Sequence, residues 1–512
     1  MSARTVVISP APTANGDLHL GHIAGPFLAA DVHTRYARSQ GREVLLGTGF
    51  QDTSTFVVTT AHRRGVTPAE LVSTSAAQIS ASLEAMGIGV DGYTGDDDRF
   101  TKWVVDFVAR LHSAGKLELR TMKFPYSSRS GEFLVDGFAS GSCPECLAEC
   151  CAGLCESCGQ LVAAGDLLDV RSTLDPSDPV VLREADVLVL PVERYRSRLR
   201  AHFAAHASGM RPHMAQAMAA MLARPLPDFP VTYPTSWGIE VPFPEVAGQR
   251  VNPNAEPMAW SMHCSALSAE KRSGPVSSED ALWLAGAGSE IVYFLGFDNI
   301  YPFAIAGPAM LLALDGRYDL PTRYLTNEFY ELDHRKFSTS RGHVVWSRDL
   351  AAEVPRDLIR FHLAATSPEH QRTSFSRDAL ARVTSARLVE PWNRVADKVN
   401  RWVGLGPLPV SSRSRRAASR MASRFAESYE LAGFSLNRAA ETIAEQLARL
   451  DGRTVTGADA GDFCFEVDRL VRGAAPILAD LASQVLGADA GVDAESFTPV
   501  ALPRLREAEA GR

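Results

Sequence analysis

Lysine is almost missing from this chain. Only Lys102, Lys116, Lys123, Lys271, Lys336 and Lys398 occur in 512 residues, and arginine supplies the remaining positive charge. The net charge of −8 excludes a global pull toward nucleic acid and leaves room only for a local basic face. No run of about 18 or more apolar residues occurs, which excludes a membrane-spanning helix. The first residues, Arg4–Ser9, enter a β-rich stretch without a charged-then-apolar leader, so a cytoplasmic protein without secretion signal is expected. No internal repeat is evident. Cysteine is rare outside one cluster: six of the eight lie between positions 143 and 158. Such clustering argues for metal ligation rather than for disulfides in a reducing compartment.

What remains describes an ordinary globular protein, 46% hydrophobic and 22% charged, long enough for about three domains. Residues 1–115 read as α/β, with strands at Thr5–Ser9 and Glu43–Gly47 and helices at Ile23–Arg38, Thr55–Arg64, Pro68–Met86 and Asp98–Ala114. Residues 116–230 break that alternation. Short β-like pieces at Lys116–Lys123 and Glu132–Val135 surround the cysteines; a strand at Asp186–Leu190 and helices at Glu193–His206 and Met214–Ala223 follow. Residues 231–345 return to alternation, with a strand at Ser289–Gly296, a helix near Ile300–Leu314 and a strand at Arg323–Phe329. Residues 346–512 read as helical; Ser411–Arg424 is a linker or the start of a basic helix, and the last fifteen or so residues lack an ordered pattern. The alternation predicts a parallel sheet whose ligands sit beyond the carboxyl ends of its strands.

Three stretches carry chemistry. The first is Pro12-Thr13-Ala14-Asn15-Gly16-Asp17-Leu18-His19-Leu20-Gly21-His22, where a strand hands over to a helix. Free N–H groups and the positive end of the helix dipole suit a phosphate there, with histidine donors and a close backbone approach at Gly21. By itself the same stretch is equally a turn with two surface histidines. The second is Cys143-Pro-Glu-Cys146 followed by Cys155-Glu-Ser-Cys158, two knuckles whose four thiolates suit tetrahedral structural Zn2+. Cys150 and Cys151 lie between them and make the choice of ligands ambiguous; 143, 146, 155 and 158 are assigned because adjacent cysteines rarely share one ion. The third is the basic, glycine-terminated loop Asp333–Gly342, whose Lys336 can act as a point charge on a leaving pyrophosphate or stand in a solvated loop.

Together these stretches resemble the class I aminoacyl-tRNA synthetases. The Pro12–His22 stretch resembles their HIGH signature in its methionyl version, and Lys336-Phe337-Ser338-Thr339-Ser340-Arg341-Gly342 resembles KMSKS followed by R-G. Phe133–Gly159 resembles the methionyl zinc knuckle, Ser236-Trp237-Gly238-Ile239 its W-G-I element, and Phe294-Leu295-Gly296-Phe297-Asp298 its F-x-G-x-D element. The matches fall in order over residues 4–400. The resemblance implies a Rossmann-type α/β catalytic domain split by a zinc-bearing insertion and followed by an α-helical bundle. It implies ATP with Mg2+ as co-substrate, His19, His22 and Lys336 as catalytic contacts to the phosphates, and Asn15, Gly21, Gly296, Asp298, Ser338 and Ser340 as nucleotide contacts. Ala11, Thr13, Gln51, Asp52, Trp260 and Phe303 fall at the amino-acid pocket.

The sequence also departs from the family. Thr339 replaces the second lysine of KMSKS. Gln51 stands where the family places the aspartate that binds the substrate's amino group, with Asp52 one place later. Ala11, Thr13, the segment Trp260-Ser261-Met262-His263 and Pro302-Phe303 depart from the methionine pocket. The anticodon-reading asparagine falls on Asp397, and from residue 401 onward 14 arginines meet 15 acids with no lysine, a poor tRNA clamp. The expectation is therefore a ligase that activates an amino acid as its adenylate and passes it to a small-molecule acceptor. Related synthetase-like domains esterify an N-hydroxylated amine such as N6-hydroxylysine in hydrazine biosynthesis, with a cupin partner that would here be a separate protein. A diverged methionine–tRNA ligase and a non-catalytic tRNA- or amino-acid-binding paralogue are the alternatives.

Overall fold

The computed structural model describes residues 4–508 except 96, 156, 338–341, 488, 490 and 492. Five parallel strands form the principal sheet: β1 (Arg4–Ile8), β2 (Val44–Gly49), β3 (Gly92–Thr94), β4 (Ser289–Gly296) and β5 (Arg323–Asn327), in the order β5-β4-β1-β2-β3. Val6-Val7-Ile8, Leu45-Leu46 and Ile291–Leu295 are buried, as expected of parallel strands covered on both faces. The strand order reverses between β1 and β4, and a sheet of this kind collects ligands beyond the carboxyl ends at that point. Ile8 pairs with Tyr293, so the segments Ser9–Ala11 and Gly296–Asp298 leave the sheet side by side.

The chain divides into two compact units. The first comprises Met1–Asp17, Arg42–Ala81 and Val90–Asn327 and holds the sheet and the cysteine cluster. Within it, a long antiparallel pair, Glu118–Ser127 with Val180–Leu190, carries the cysteine module between its ends. The short strands expected at Lys116–Lys123 and Asp186–Leu190 are parts of this longer pair. Glu132–Val135 is not a strand: Phe133 makes a single bridge to Tyr126, and the chain then turns into a 3-10 turn at Asp136, whose φ is 47°. The helix Pro257–Ser273 packs on β2 and β3. A Cβ at Gly47 would lie 2.3 Å from Cys264 Sγ, and one at Gly92 2.3 Å from Ser268 Oγ, so both glycines are needed for this approach.

The second unit comprises Leu18–Gly41, Ser82–Gly89 and Glu328–Arg512. Here the expected helix Ile23–Arg38 is two pieces, a π-helical stretch at Ile23–Phe27 and a regular helix at Leu28–Ser39, preceded by a turn at Leu20–His22. Pro26 removes a backbone donor and Gly25 leaves helical geometry, which together account for the interruption. Arg360 is fully buried and ties the unit together, donating to Asp31 Oδ2 (2.7 Å) and to the carbonyls of Met86, Pro476 and Ile477. Ser411 accepts the amide of Ser414 and caps the helix Ser412–Tyr429, so this stretch is a helix rather than a linker. The tail is tied down at Leu502, Pro503 and Leu505, contrary to the sequence expectation. Trp392 donates to the carbonyl of Pro503, Asn393 exchanges two hydrogen bonds with Leu505, and Asn400 does the same with Leu502.

Candidate functional site

The cysteine knuckles are the most completely built of the candidate sites. Each folds into the same turn: Leu147 N–H donates to Cys143 C=O and Gly159 N–H to Cys155 C=O, and the residue after the second cysteine is left-handed in both, Leu147 at φ 62° and Gly159 at φ 74°. The sulfurs of Cys143, Cys146, Cys155 and Cys158 all lie within 4.8 Å of one another, with Cys143–Cys158 at 3.8 Å and Cys146–Cys155 at 3.7 Å. Four sulfurs at about 2.3 Å from a central zinc have edges of about 3.8 Å, so these four fit a Zn2+ cage. A closed four-sulfur cage would hold the fold and offer no open position for catalysis. Cys150, between the knuckles, packs against the small core beneath them; burial, reinforced by the neighbouring thiols, pushes its own thiol up to about 12. The cage also reaches the carboxyl end of β4: a Cβ at Gly159 would lie 2.8 Å from the Phe297 ring, beside Gly296 and Asp298.

In the second unit, His19 caps the short turn that carries Gly21 and His22. Its Nδ1 accepts the Gly21 N–H at 3.1 Å, while its own N–H donates to His22 Nδ1 at 3.3 Å. Both Nδ1 atoms therefore act as acceptors, which assigns the proton of each neutral ring to Nε2. The two rings stack with centroids 3.9 Å apart, and Phe337 stacks on the other side of His19 at 4.7 Å. Gly21 is required by this fold-back, since a Cβ there would lie 2.9 Å from His19 Cε1. Removal from water, with His22 and Lys336 adding repulsion, lowers His19 well below its usual range; burial brings His22 to about 4. The expectation of free helix N–H groups for a phosphate does not hold. Leu20 N–H goes to Val345 C=O, Gly21 N–H to His19 Nδ1 and His22 N–H to His19 C=O. An anion would meet side-chain donors here instead. Lys336 lies on the strand pair Tyr330–Leu332 with Arg335–Lys336, its ammonium over the Phe329 ring. Ser338 and Ser340 lie outside the described residues.

In the first unit, the stretch after β1 runs alongside the stretch after β2. Thr13 pairs with Gln51, Ala14 N–H donates to Gln51 C=O, and Gln51 N–H donates to Pro12 C=O. Ala11 packs against the core and Asn15 closes a tight turn on Thr13 C=O. Gln51 donates its amide to Pro253 C=O, and Trp237 donates its indole N–H to Asp52 C=O. Trp260 is buried on the helix Pro257–Ser273; its neighbour Ser261 accepts from Tyr293 Oη, and Tyr293 meets Phe303 edge to face. Asp298 accepts from Asn299, and burial pushes its carboxyl up. A Cβ at Gly296 would lie 2.6 Å from Asp298 Oδ1, so only glycine admits that carboxylate.

Residues 5–402 match the family model described as tRNA synthetases class I (M). The chain belongs to this family. It is 33% identical over 387 residues to a methionine–tRNA ligase of Porphyromonas gingivalis, covering 74% of this chain and 55% of that protein. A methionine–tRNA ligase of Parabacteroides distasonis is 31% identical over 378 residues, 73% of this chain and 54% of that one. The chain thus spans just over half the length of these relatives. Methionyl-tRNA synthetase of Mycobacterium tuberculosis, solved bound by methionyl-adenylate, has the same fold, with a TM-score of 0.76 at 18% identity over 99% of both chains.

Two buried acids of this chain carry no motif in the sequence. Asp136, in the 3-10 turn, accepts from Ser54 Oγ, Thr55 N–H and Thr55 Oγ1 and so anchors the insertion to the helix Thr55–Arg64. Glu256, just before Pro257, is 1% exposed and accepts from Thr53 Oγ1 at 2.7 Å. Burial, helped by the negative charges of Asp52 and Asp136, pushes its carboxyl up to about 8. The available signal was an acid embedded in an otherwise apolar stretch, but its partner Thr53 lies 203 residues away in sequence.

Proposed function

We propose that this chain activates an amino acid with ATP and passes the acyl group to a small-molecule acceptor. A carboxylate oxygen of the amino acid attacks the α-phosphorus of magnesium-bound ATP; the bond to the β-phosphate oxygen breaks and pyrophosphate leaves. Catalysis of this kind rests on positioning and charge stabilisation. The Nε2–H groups of His19 and His22 are suited to donate to phosphate oxygens, and the Lys336 ammonium to neutralise the departing pyrophosphate. Gly296 and Asp298 suit the ribose, and Ala11, Thr13, Gln51, Asp52, Trp260 and Phe303 line the amino-acid side. The four cysteines would hold Zn2+, which steadies the insertion and, through Gly159 against Phe297, the loop bearing Asp298. The observation that carries the reading is the paired, neutral, donor-presenting histidines beside Lys336 in a member of this family.

The bundle supports a small acceptor. Arg394 pairs with Asp451, Arg387 with Glu441, Arg424 with Glu445 and Arg449 with Glu466, so much of the positive charge is already matched by acids. Asp397, at the anticodon-reading position of the family, is engaged by Arg504 of the ordered tail. Both features favour a small acceptor over tRNA, for example the hydroxyl of an N-hydroxylated amine that a separate cupin then processes. The second reading, methionine–tRNA ligation, is supported by the names of the relatives. Pyrophosphate exchange across the twenty amino acids, followed by charging of bulk tRNA, separates them. Exchange with methionine alone, together with charged tRNA, would sink the small-acceptor proposal; absence of exchange with every amino acid would sink activation.

A further inference from the structure

Glu256 is an anomaly in the first unit. Its carboxyl lies in the core with one oxygen on Thr53 Oγ1, while the other, Oε1, is buried and has no hydrogen-bond partner among the described residues. Among the described residues, Asp52 and Asp136 act on it with negative charge. Its position at the start of the helix Pro257–Ser273 does not account for it, because its side chain makes no capping bond. A buried acid beside other acids, with an unpartnered oxygen, is a costly arrangement that folding alone does not favour. One turn further along the same helix, the Trp260 indole N–H is also buried and unpartnered among the described residues, and positions four apart share a helix face. Tyr301 Oη is a third such atom; it acts electrostatically on Tyr233, as Asp136 does. Gln51, Asp52 and Thr53 form the adjoining loop, where Gln51 contributes a neutral amide that donates to Pro253 C=O and also acts on the Glu256 carboxyl, without supplying a charge.

We propose that Glu256 is the anionic seat for an ammonium group of the amino acid that this chain binds. The inference rests on the adenylation reading for the identity of the ligand as an amino acid. An ammonium group would donate a hydrogen bond to the unpartnered Oε1, and its positive charge would offset that of the Glu256 carboxylate. The ammonium is either the α-amino group or the side-chain amine of a diamino acid, and both share this chemistry. A carboxylate reaching the loop from the helix start restores to the site the charge that Gln51 does not carry.

The test is titration calorimetry of the full chain with the twenty amino acids, ornithine, and the corresponding carboxylic acids that lack the amine. At least one amino acid is expected to bind the wild-type chain, its deaminated analogue at least tenfold more weakly, and Glu256→Gln to weaken the parent by tenfold or more while ATP affinity is unchanged. For a diamino ligand, acetylation at Nα or at the side-chain amine identifies which ammonium is seated. The deaminated analogues on the wild-type chain decide the matter even if the variant folds poorly. Equal binding of parent and deaminated acids, Glu256→Gln within twofold of wild type, or no amino-acid binding at all would overturn the proposal. Binding that depends on Glu256 without pyrophosphate exchange would count against adenylation and leave the ammonium seat standing.

Discussion

Replacing Glu256 by glutamine should make the protein more stable at alkaline pH while weakening its ligand binding. Burial lifts the folded-state carboxyl from the usual 4.5 to about 8. The native state therefore holds one more proton than the unfolded chain between these values, so stability falls as pH rises through the window and the full penalty is present above it. A shift of this size corresponds to about 4–5 kcal/mol at most, at about 1.4 kcal/mol per pH unit. Glutamine removes the ionisation but leaves an amide donor to satisfy in the same place, at a cost of about 1–2 kcal/mol. The net expectation is a gain of about 2–3 kcal/mol at pH 8.5 and a small loss at pH 5, where the wild-type carboxyl is protonated. Thermal melts of both proteins from pH 5 to 9, followed by circular dichroism, should show curves that cross. Parallel curves, or a variant destabilised equally at both ends, would refute a buried, proton-holding Glu256.

The other expectations concern separate parts of the molecule. Purified protein should carry one zinc per chain, and Cys155→Ser or chelation should open residues 143–158 to protease and raise the KM for ATP through the contact of Gly159 with Phe297. Arg360→Met should destabilise the second unit by about 3 kcal/mol or more in urea melts, because the buried carbonyls of Met86, Pro476 and Ile477 lose their donor and Asp31 keeps only Arg35 as a cationic partner. His22 is near 4 in the folded chain against 6.5 when unfolded, so its contribution to stability is lost as pH falls from 6.5 toward 4, and His22→Gln should flatten that limb of the pH–stability curve. For the same reason the exchange rate should show no ionisation of His22 near pH 6.5.

What the sequence made legible was local. The helix Thr55–Arg64 and the strand Ser289–Gly296 have the bounds that their residues indicate. The helix is delimited by signals on its own chain: the Ser54 side chain accepts from Phe56 N–H, and Gly65 closes the other end at φ 65°. The cysteine spacing likewise sufficed to bring four sulfurs together, since each knuckle is one turn. Pro257–Ser273 gave no helical stripe to read because nearly every face of it is buried, its small residues Ala259, Ser261, Ala266 and Ser268 as much as Met258 and Met262. The order of the tail was hidden because its partners, Trp392, Asn393 and Asn400, are about a hundred residues upstream. The use of the first-turn N–H groups by His19 and Val345 was hidden for a similar reason: a motif names the residues at a helix start but not the donors already satisfied there.

The acid in the core also makes a prediction about the ligand. A protein that buries the Glu256 carboxyl with one oxygen unpartnered among the described residues is less stable than it need be, and a bound ammonium offsets this only when Glu256 is ionised. At pH 6 about one free protein in a hundred has that carboxylate, given a value near 8, and at pH 8.5 most do. Ligand at one hundred times its dissociation constant stabilises by about 2.7 kcal/mol, and each hundredfold weakening removes nearly all of that. An activated amino acid at fixed concentration should therefore raise the melting temperature strongly at pH 8.5 and hardly at pH 6, while its amine remains protonated throughout. ATP, which the proposed function assigns to other residues, should give no such pH dependence through Glu256. An amino-acid shift of equal size at both pH values would mean that the ammonium is held elsewhere and that the buried acid serves the fold alone.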